Sequence, residues 1–224
     1  MPDQRFREPE GWHVRAAPHA MPARSLADNL VMKTLTTIDP GSSSPGSAVA
    51  GYPHAPRRIV WWTWAERSAS VSTIYRNGDA WSDPYVIRCD RVDVEHLVHE
   101  IIARDDITGA LVVEGVYQPA GWARRKSAIG TIIPLSEHVG RLIQAFRPDR
   151  PVVLRPLADQ WRAAVGIPPR MKAKAAGGLA IQIAQRNGMP RISASLDVQE
   201  TIAESWCMFR AASSGALNEI GENE

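Results

Sequence analysis

The segment at residues 109–117 constrains the fold of this 224-residue chain more than any other. Its sequence, Gly-Ala-Leu-Val-Val-Glu-Gly-Val-Tyr, is almost continuously apolar, which is typical of a strand buried on both faces. A strand of this kind needs other elements packed above and below it. The segment therefore predicts a central strand in a sheet covered by helices.

The hydrophobic period changes along the chain around this segment. Alternation with a period of two, interrupted by turn residues, predicts early strands at residues 32–38, 47–52, 58–65 and 70–75. In the stretch Trp61-Trp62-Thr63-Trp64 of the third strand this period places Trp62 and Trp64 on one face and Trp61 on the other. Apolar residues with helical spacing predict helices that start near Val92 and at 129–146, 157–165, 171–187 and 196–212, with a short buried strand at 151–155. Strands followed by alternating helices and strands predict an α/β fold with a mixed sheet.

Length and composition limit the possible classes of protein. The chain suits one α/β domain, predicted at residues 33–212, between flexible tails at 1–32 and 213–224. Cys89 and Cys207 lack the spacing of a zinc site and do not form a disulfide framework, which suits a reducing cytoplasm. We expect no membrane span, because no apolar run approaches the roughly 20 residues required. The net charge of +2 indicates no partner by itself.

Two carboxylates stand at positions that suggest chemistry. Asp39 ends a predicted strand and precedes Pro40-Gly41, where an open backbone can approach a metal or phosphate, although Asp-Pro-Gly is also a common turn. Glu114 interrupts the central apolar strand, and a buried carboxylate is unfavourable by several kcal/mol unless it is paired or binds a metal. The alternative for Glu114 is a half-exposed strand that points it toward water.

The last predicted helix offers three further acids on one face, Asp197, Glu200 and Glu204. Asp197 and Glu200 also fit a capping box, with Asp197 as the N-cap. Glu204 differs, because its face continues through apolar residues. Acids from a first strand, a central strand and a late helix are the ligand set of a two-metal phosphodiesterase, which holds two Mg²⁺ or Mn²⁺ ions about 4 Å apart.

The order of these motifs resembles the RuvC-type Holliday junction resolvases of the RNase H-like superfamily. Ile38-Asp39-Pro40-Gly41-Ser42 is similar to the opening of that family, and Val112-Val113-Glu114-Gly115-Val116-Tyr117 is similar to its second acidic strand. Gly140-Arg141-Leu142, Val152-Val153-Leu154-Arg155-Pro156 and Lys172-Ala173-Lys174-Ala175 follow in matching order. The resemblance covers residues 33–212.

The resemblance implies an RNase H-like mixed β-sheet flanked by α-helices, and a homodimer that cuts branched DNA with Mg²⁺ in recombination and repair. Asp39 and Glu114 match motif positions, and Lys174 matches a lysine beside the catalytic site. The family usually has two aspartates three residues apart on the last helix, whereas Thr201 and Glu204 stand here. Glu200 or Asp197 would then complete the metal site. The Trp-rich strand region is an insertion relative to compact members.

Basic and aromatic residues near these acids are candidates for DNA contacts. Cations suit the phosphate backbone, and an aromatic ring can stack on an unpaired base at a branch point. The candidate residues are Arg124, Arg125, Lys126, Arg170, Lys172, Lys174 and Tyr117.

Two other functions agree with the same residues. A non-catalytic nucleic-acid-binding or assembly protein would explain the altered last motif. An actin-like or sugar-kinase-like ATPase also places an Asp-x-Gly loop near phosphate, but it needs two related lobes, which 224 residues do not readily supply.

Overall fold

The computed structural model describes residues 34–41, 44–104, 109–115, 126–146, 152–169 and 171–217. These residues form a sheet with strands β1 (Leu35–Asp39), β2 (Gly46–Tyr52), β3 (Ala55–Trp64), β4 (Ser68–Asn77), β5 (Ala80–Trp81), β6 (Tyr85–Asp90), β7 (Ala110–Val113) and β8 (Val152–Leu154). The helices are α1 (Val94–Ala103), α2 (Lys126–Phe146), α3 (Ala158–Ala164), α4 (Ala173–Arg186) and α5 (Leu196–Ser213).

The sheet is mixed, with an antiparallel half and a parallel half. Strands β1 to β4 form an antiparallel meander, and both β5 and β6 pair with β4. On the other side of β1, strands β7 and β8 run parallel to it. This arrangement confirms the predicted RNase H-like α/β fold, a mixed sheet flanked by helices.

Helices cover both faces of the sheet and create two cores. Helices α1 and α2 pack on the face that carries Ile38, Val60 and Leu111. Helices α3, α4 and α5 pack on the face that carries Leu35 and Val112. Because β7 contributes to both cores, its four residues are all buried, as the apolar run predicted.

The tryptophans of β3 divide between these cores. Trp62 is fully buried and Trp64 packs beside it in the α1–α2 core, whereas Trp61 lies in the opposite core. The period of two predicted this division, and it is confirmed.

Two details differ from the sequence analysis. Strands β5 and β6 were not predicted: β5 has two residues, and in β6 Ile87 and Cys89 alternate inward while the apolar Tyr85 and Val86 remain mostly exposed. Helix α5 begins at Leu196 with Ser195 as its N-cap, and the Ser195 hydroxyl accepts a bond from the Val198 N–H, so the predicted cap at Asp197 is wrong.

The packed part of the chain continues beyond the predicted boundary at residue 212. Helix α5 ends at Ser213, and Leu217 is buried in the core with α5. Within the described ranges no helix combines the length and apolar character needed to cross a bilayer.

Candidate metal centre

Asp39 lies at the carboxyl end of β1, where two helices on opposite faces hold its backbone. On one side the Asp39 N–H donates to the Ser205 hydroxyl of α5 at 3.0 Å. The Ser205 carbonyl oxygen in turn accepts a bond from the Thr37 hydroxyl at 2.8 Å. These buried contacts fix the rotation of α5 against β1, and they set the position of Glu204 next to Ser205.

On the other face, His138 of α2 holds the residue that follows Asp39. Its Nε2 lies 3.0 Å from the Pro40 carbonyl oxygen, and its Nδ1 lies 2.7 Å from Glu95 Oε1. At Gly41 the backbone has a φ of 42°, and a Cβ there would overlap the Pro45 carbonyl oxygen. A glycine is therefore needed for the tight loop that carries Asp39.

Glu114 follows β7 directly, and parallel pairing brings it beside Asp39. Ile38 pairs with Val113, and the Glu114 N–H donates to the Ile38 carbonyl oxygen at 3.0 Å. The carboxyl ends of parallel neighbours meet at one edge of a sheet. Glu114 thus lies just past the strand rather than inside it.

Glu204 of α5 completes a cluster of three half-buried carboxylates. One carboxylate oxygen from each of Asp39, Glu114 and Glu204 lies within 4.8 Å of the other two. Arg162 of α3 pairs with this cluster through a 2.8 Å contact from its Nη2 to Glu204 Oε1. The fold therefore gathers three acids and one cation in a small space.

Two carboxylates of the cluster, Asp39 and Glu114, hold protons more tightly than isolated acids do. Burial raises the pKa of Glu114 to about 7, and the charge of Glu204 acts in the same direction. Arg162 opposes this rise, as does the Trp161 indole N–H, although its geometry falls short of a full hydrogen bond. Burial also raises the pKa of Asp39 well above its ordinary value, with further contributions from Glu114 and Glu204.

This arrangement fits a hard divalent cation. The donors are carboxylate oxygens, the ligands that Mg²⁺ and Mn²⁺ prefer. Mutual repulsion among three acids is relieved when a cation binds between them. Asp39, Glu114 and Glu204 are thus the residues that would hold the ion.

An open cleft of about 480 Å³ lies beside the cluster, between the loop before β2 and helices α3, α4 and α5. Arg162 and Glu204 are among its lining residues, which connects the acids to solvent. The cleft also contains the predicted residues Lys174, Asp197 and Glu200. A charged substrate can therefore approach the acids along this surface.

Asp197 and Glu200 line the cleft but do not belong to the three-acid cluster. Asp197 is exposed, and Glu200 packs against α4, where a Cβ on Gly177 would lie 2.8 Å from the Glu200 carboxyl carbon. Thr201 is buried, and its hydroxyl donates to the Pro45 carbonyl oxygen at 3.3 Å. On α5, Glu204 is thus the acid that meets Asp39 and Glu114.

The predicted DNA-contacting residues fall into two groups. Lys172 and Lys174 are exposed at the start of α4, and Lys174 reaches the cleft. Lys126 begins α2, but its side chain lies outside the described part of the structure. Four further candidates lie entirely outside the described residues: Tyr117, Arg124, Arg125 and Arg170.

Sequence reasoning missed Arg162, Ser205 and His138. Arg162 lies next to Trp161 in a seven-residue helix, and nothing in its local sequence distinguishes it from a surface arginine. Ser205 had one signal, since it adjoins Glu204 on a helix face that is otherwise apolar. Their contacts join residues far apart in the chain, so local patterns do not reveal them.

Comparison with known proteins gives a general likeness of fold. No protein-family model matches the chain, and no curated protein matches it. Two structures of RuvC from Thermus thermophilus are similar to it. The first shares 14% identity and a TM-score of 0.40, and covers 76% of this chain and 92% of RuvC. The second is a complex with a Holliday junction substrate, at 15% identity and a TM-score of 0.41, covering 76% and 90%. A likeness at this level defines no family, so the function is inferred from the side chains.

Proposed function

We propose that this chain is a metal-dependent endonuclease that cuts branched DNA, such as a four-way junction, by phosphodiester hydrolysis. The observation that carries the proposal is the convergence of Asp39, Glu114 and Glu204, whose carboxylate oxygens lie within 4.8 Å of one another. Acids gathered in this way, with one arginine beside them, favour a cation over a purely structural role.

The side chains would divide the work as follows. Asp39, Glu114 and Glu204 hold Mg²⁺ or Mn²⁺, which would activate water and stabilise the charge on the leaving oxygen when bound. Arg162 orients the Glu204 carboxylate through their 2.8 Å contact. Lys174 stands at the cleft and would bind a phosphate of the approaching backbone.

The narrower parts of the proposal extend the resemblance to RuvC-type resolvases. Two acidic sites on a homodimer would cut opposite strands of a junction symmetrically, because two-fold symmetry of the protein matches that of the DNA. The expected setting is DNA recombination and repair in the cytoplasm.

The test is cleavage of a labelled four-way junction by purified full-length chain with Mg²⁺ or with EDTA. We expect cutting with Mg²⁺ only, and a loss of at least about 100-fold in Asp39→Asn and Glu114→Gln, since metal stabilisation amounts to several kcal/mol. Asp79→Asn and Glu66→Gln are matched controls, since both residues are exposed and distant in sequence from the cluster. Full cleavage by either cluster variant would contradict the proposal.

The same assay separates the main alternative. A non-catalytic nucleic-acid-binding protein would bind the junction and leave it uncut with either metal. Thr201 in place of a second acid on α5 is the observation that favours this alternative. Junction binding without cutting by the wild-type chain would select it.

A further inference from the structure

Arg162 is positioned to supply positive charge inside the acidic cluster. Its side chain is 18% exposed and that of Glu204 is 17% exposed, so their 2.8 Å pair is largely withdrawn from water. An arginine remains charged at every physiological pH. Its charge also acts on the other two acids, because it opposes part of the burial-driven rise in the pKa of Asp39 and of Glu114.

The cluster contains three acids, and the described residues offer no fourth. Thr201 lies one turn before Glu204 on α5, but its hydroxyl is turned to the Pro45 carbonyl oxygen. Glu200 packs on α4 at Gly177, and Asp197 is exposed. Two divalent ions would therefore bring four positive charges to three carboxylates that already face a guanidinium.

We propose that Arg162 takes the place of one metal ion, so that the acidic cluster binds a single divalent cation per chain. Three carboxylates less one guanidinium leave two negative charges, which one Mg²⁺ or Mn²⁺ neutralises. This inference rests on the proposed metal centre and goes beyond it, since the two-metal arrangement was the expectation from sequence. Arg162 is a positioning residue that acts through Glu204.

The experiment is Mn²⁺ binding to the full-length chain, measured by calorimetry and by electron paramagnetic resonance. We expect one tight Mn²⁺ per wild-type chain, with the spectrum of an isolated ion. Arg162→Gln leaves three uncompensated carboxylates, so we expect a second ion and a spectrum that shows coupling between two neighbouring Mn²⁺ ions. Arg162→Lys keeps the charge and should bind one ion.

Arg186→Gln is the matched control, because Arg186 is exposed at the far end of α4 and should leave the binding of one ion unchanged. Two coupled ions in the wild-type chain would overturn the inference while leaving the metal centre intact. A single ion in both wild type and folded Arg162→Gln, with equal affinity, would refute the role of Arg162. No Mn²⁺ binding by the wild type would overturn both this inference and the proposed function. If Arg162→Gln does not fold, the wild-type and Arg162→Lys stoichiometries still decide between one ion and two.

Discussion

Two buried polar clusters flank the loop at Asp39 and Pro40, and their charges are balanced differently. On the α1–α2 face, Glu95 Oε1 lies 2.7 Å from both His138 Nδ1 and Arg141 Nε. On the α5 face, three carboxylates share Arg162. The first cluster supplies two partners for one acid, and the second supplies one partner for three.

The protonation behaviour of the two clusters differs accordingly. Burial acts to raise the pKa of Glu95, but the hydrogen bonds from His138 and Arg141 outweigh it and leave that pKa lowered. Burial raises the pKa of Glu114 to about 7, and Arg162 only partly opposes it. A matched buried acid stabilises the folded chain, whereas an unmatched cluster favours a ligand that brings positive charge.

Glu114→Gln should give the largest effect, with opposite signs for activity and stability. We expect junction cleavage to fall at least about 100-fold, because a metal ligand is lost. In metal-free protein at pH 8, we expect the free energy of unfolding to stay equal or rise, because one repelling charge is removed. Chemical denaturation in EDTA measures the second effect, and a large loss of stability would break the contrast between the clusters.

Glu95→Gln should destabilise the protein by about 3 kcal/mol, since it removes the buried carboxylate that His138 Nδ1 and Arg141 Nε contact at 2.7 Å and leaves a buried polar partner unsatisfied. His138 and Glu95 are each at most 3% exposed, so water does not replace the lost partner. Urea unfolding at pH 7 measures the difference, with Glu100→Gln on the exposed face of α1 as the control. A change as small as that of the control would show that the pair contributes no net stability.

The pH dependence should distinguish the clusters next. Glu114 has a raised pKa in the folded state, so the stability that it gives metal-free protein is present below its unfolded value, about 4.5, and is lost as pH rises through about 7. Glu95 has a lowered pKa in the folded state. The stability that it contributes is therefore present above its unfolded value of about 4.5 and is lost as the pH falls through its lower folded pKa. Because metal must displace protons, we expect Mn²⁺ affinity to fall about tenfold per pH unit below 7. Calorimetric titrations at pH 6, 7 and 8 would measure this fall in Mn²⁺ affinity. A constant affinity over this range would contradict the raised pKa of Glu114.

Lys174→Ala should give the smallest effect, because the side chain is exposed and acts on the substrate alone. We expect junction affinity to fall a few-fold, and the slope of log affinity against log salt to decrease by about 0.9, the value for one phosphate contact. Fluorescence anisotropy with Arg186→Ala as the control measures both. An unchanged slope would remove Lys174 from the DNA-binding surface.

Much of the fold was predictable from local patterns in the sequence. Alternation in β3 separated Trp61 from Trp62, and the apolar run at β7 indicated a strand between two layers. These predictions succeed because burial on a strand follows a period of two whatever the neighbours are. Edge strand β6 escaped prediction because Tyr85 and Val86 are apolar yet mostly exposed, which obscures the inward alternation of Ile87 and Cys89.

The candidate site was predictable in part. By itself the sequence determined that Asp39 ends a strand and that Glu114 belongs to a buried apolar segment, because both facts depend on neighbours along the chain, but it placed Glu114 inside a strand that in fact ends at Val113. Only the tertiary structure decided that Glu204, rather than Glu200 or Asp197, meets them. All three lie on one helix face, and the rotation of α5 that selects Glu204 is set by bonds from Ser205 to β1. The pairing of Arg162 with Glu204, 42 residues apart, likewise depends on how two helices pack, and helical periodicity carries no information about that.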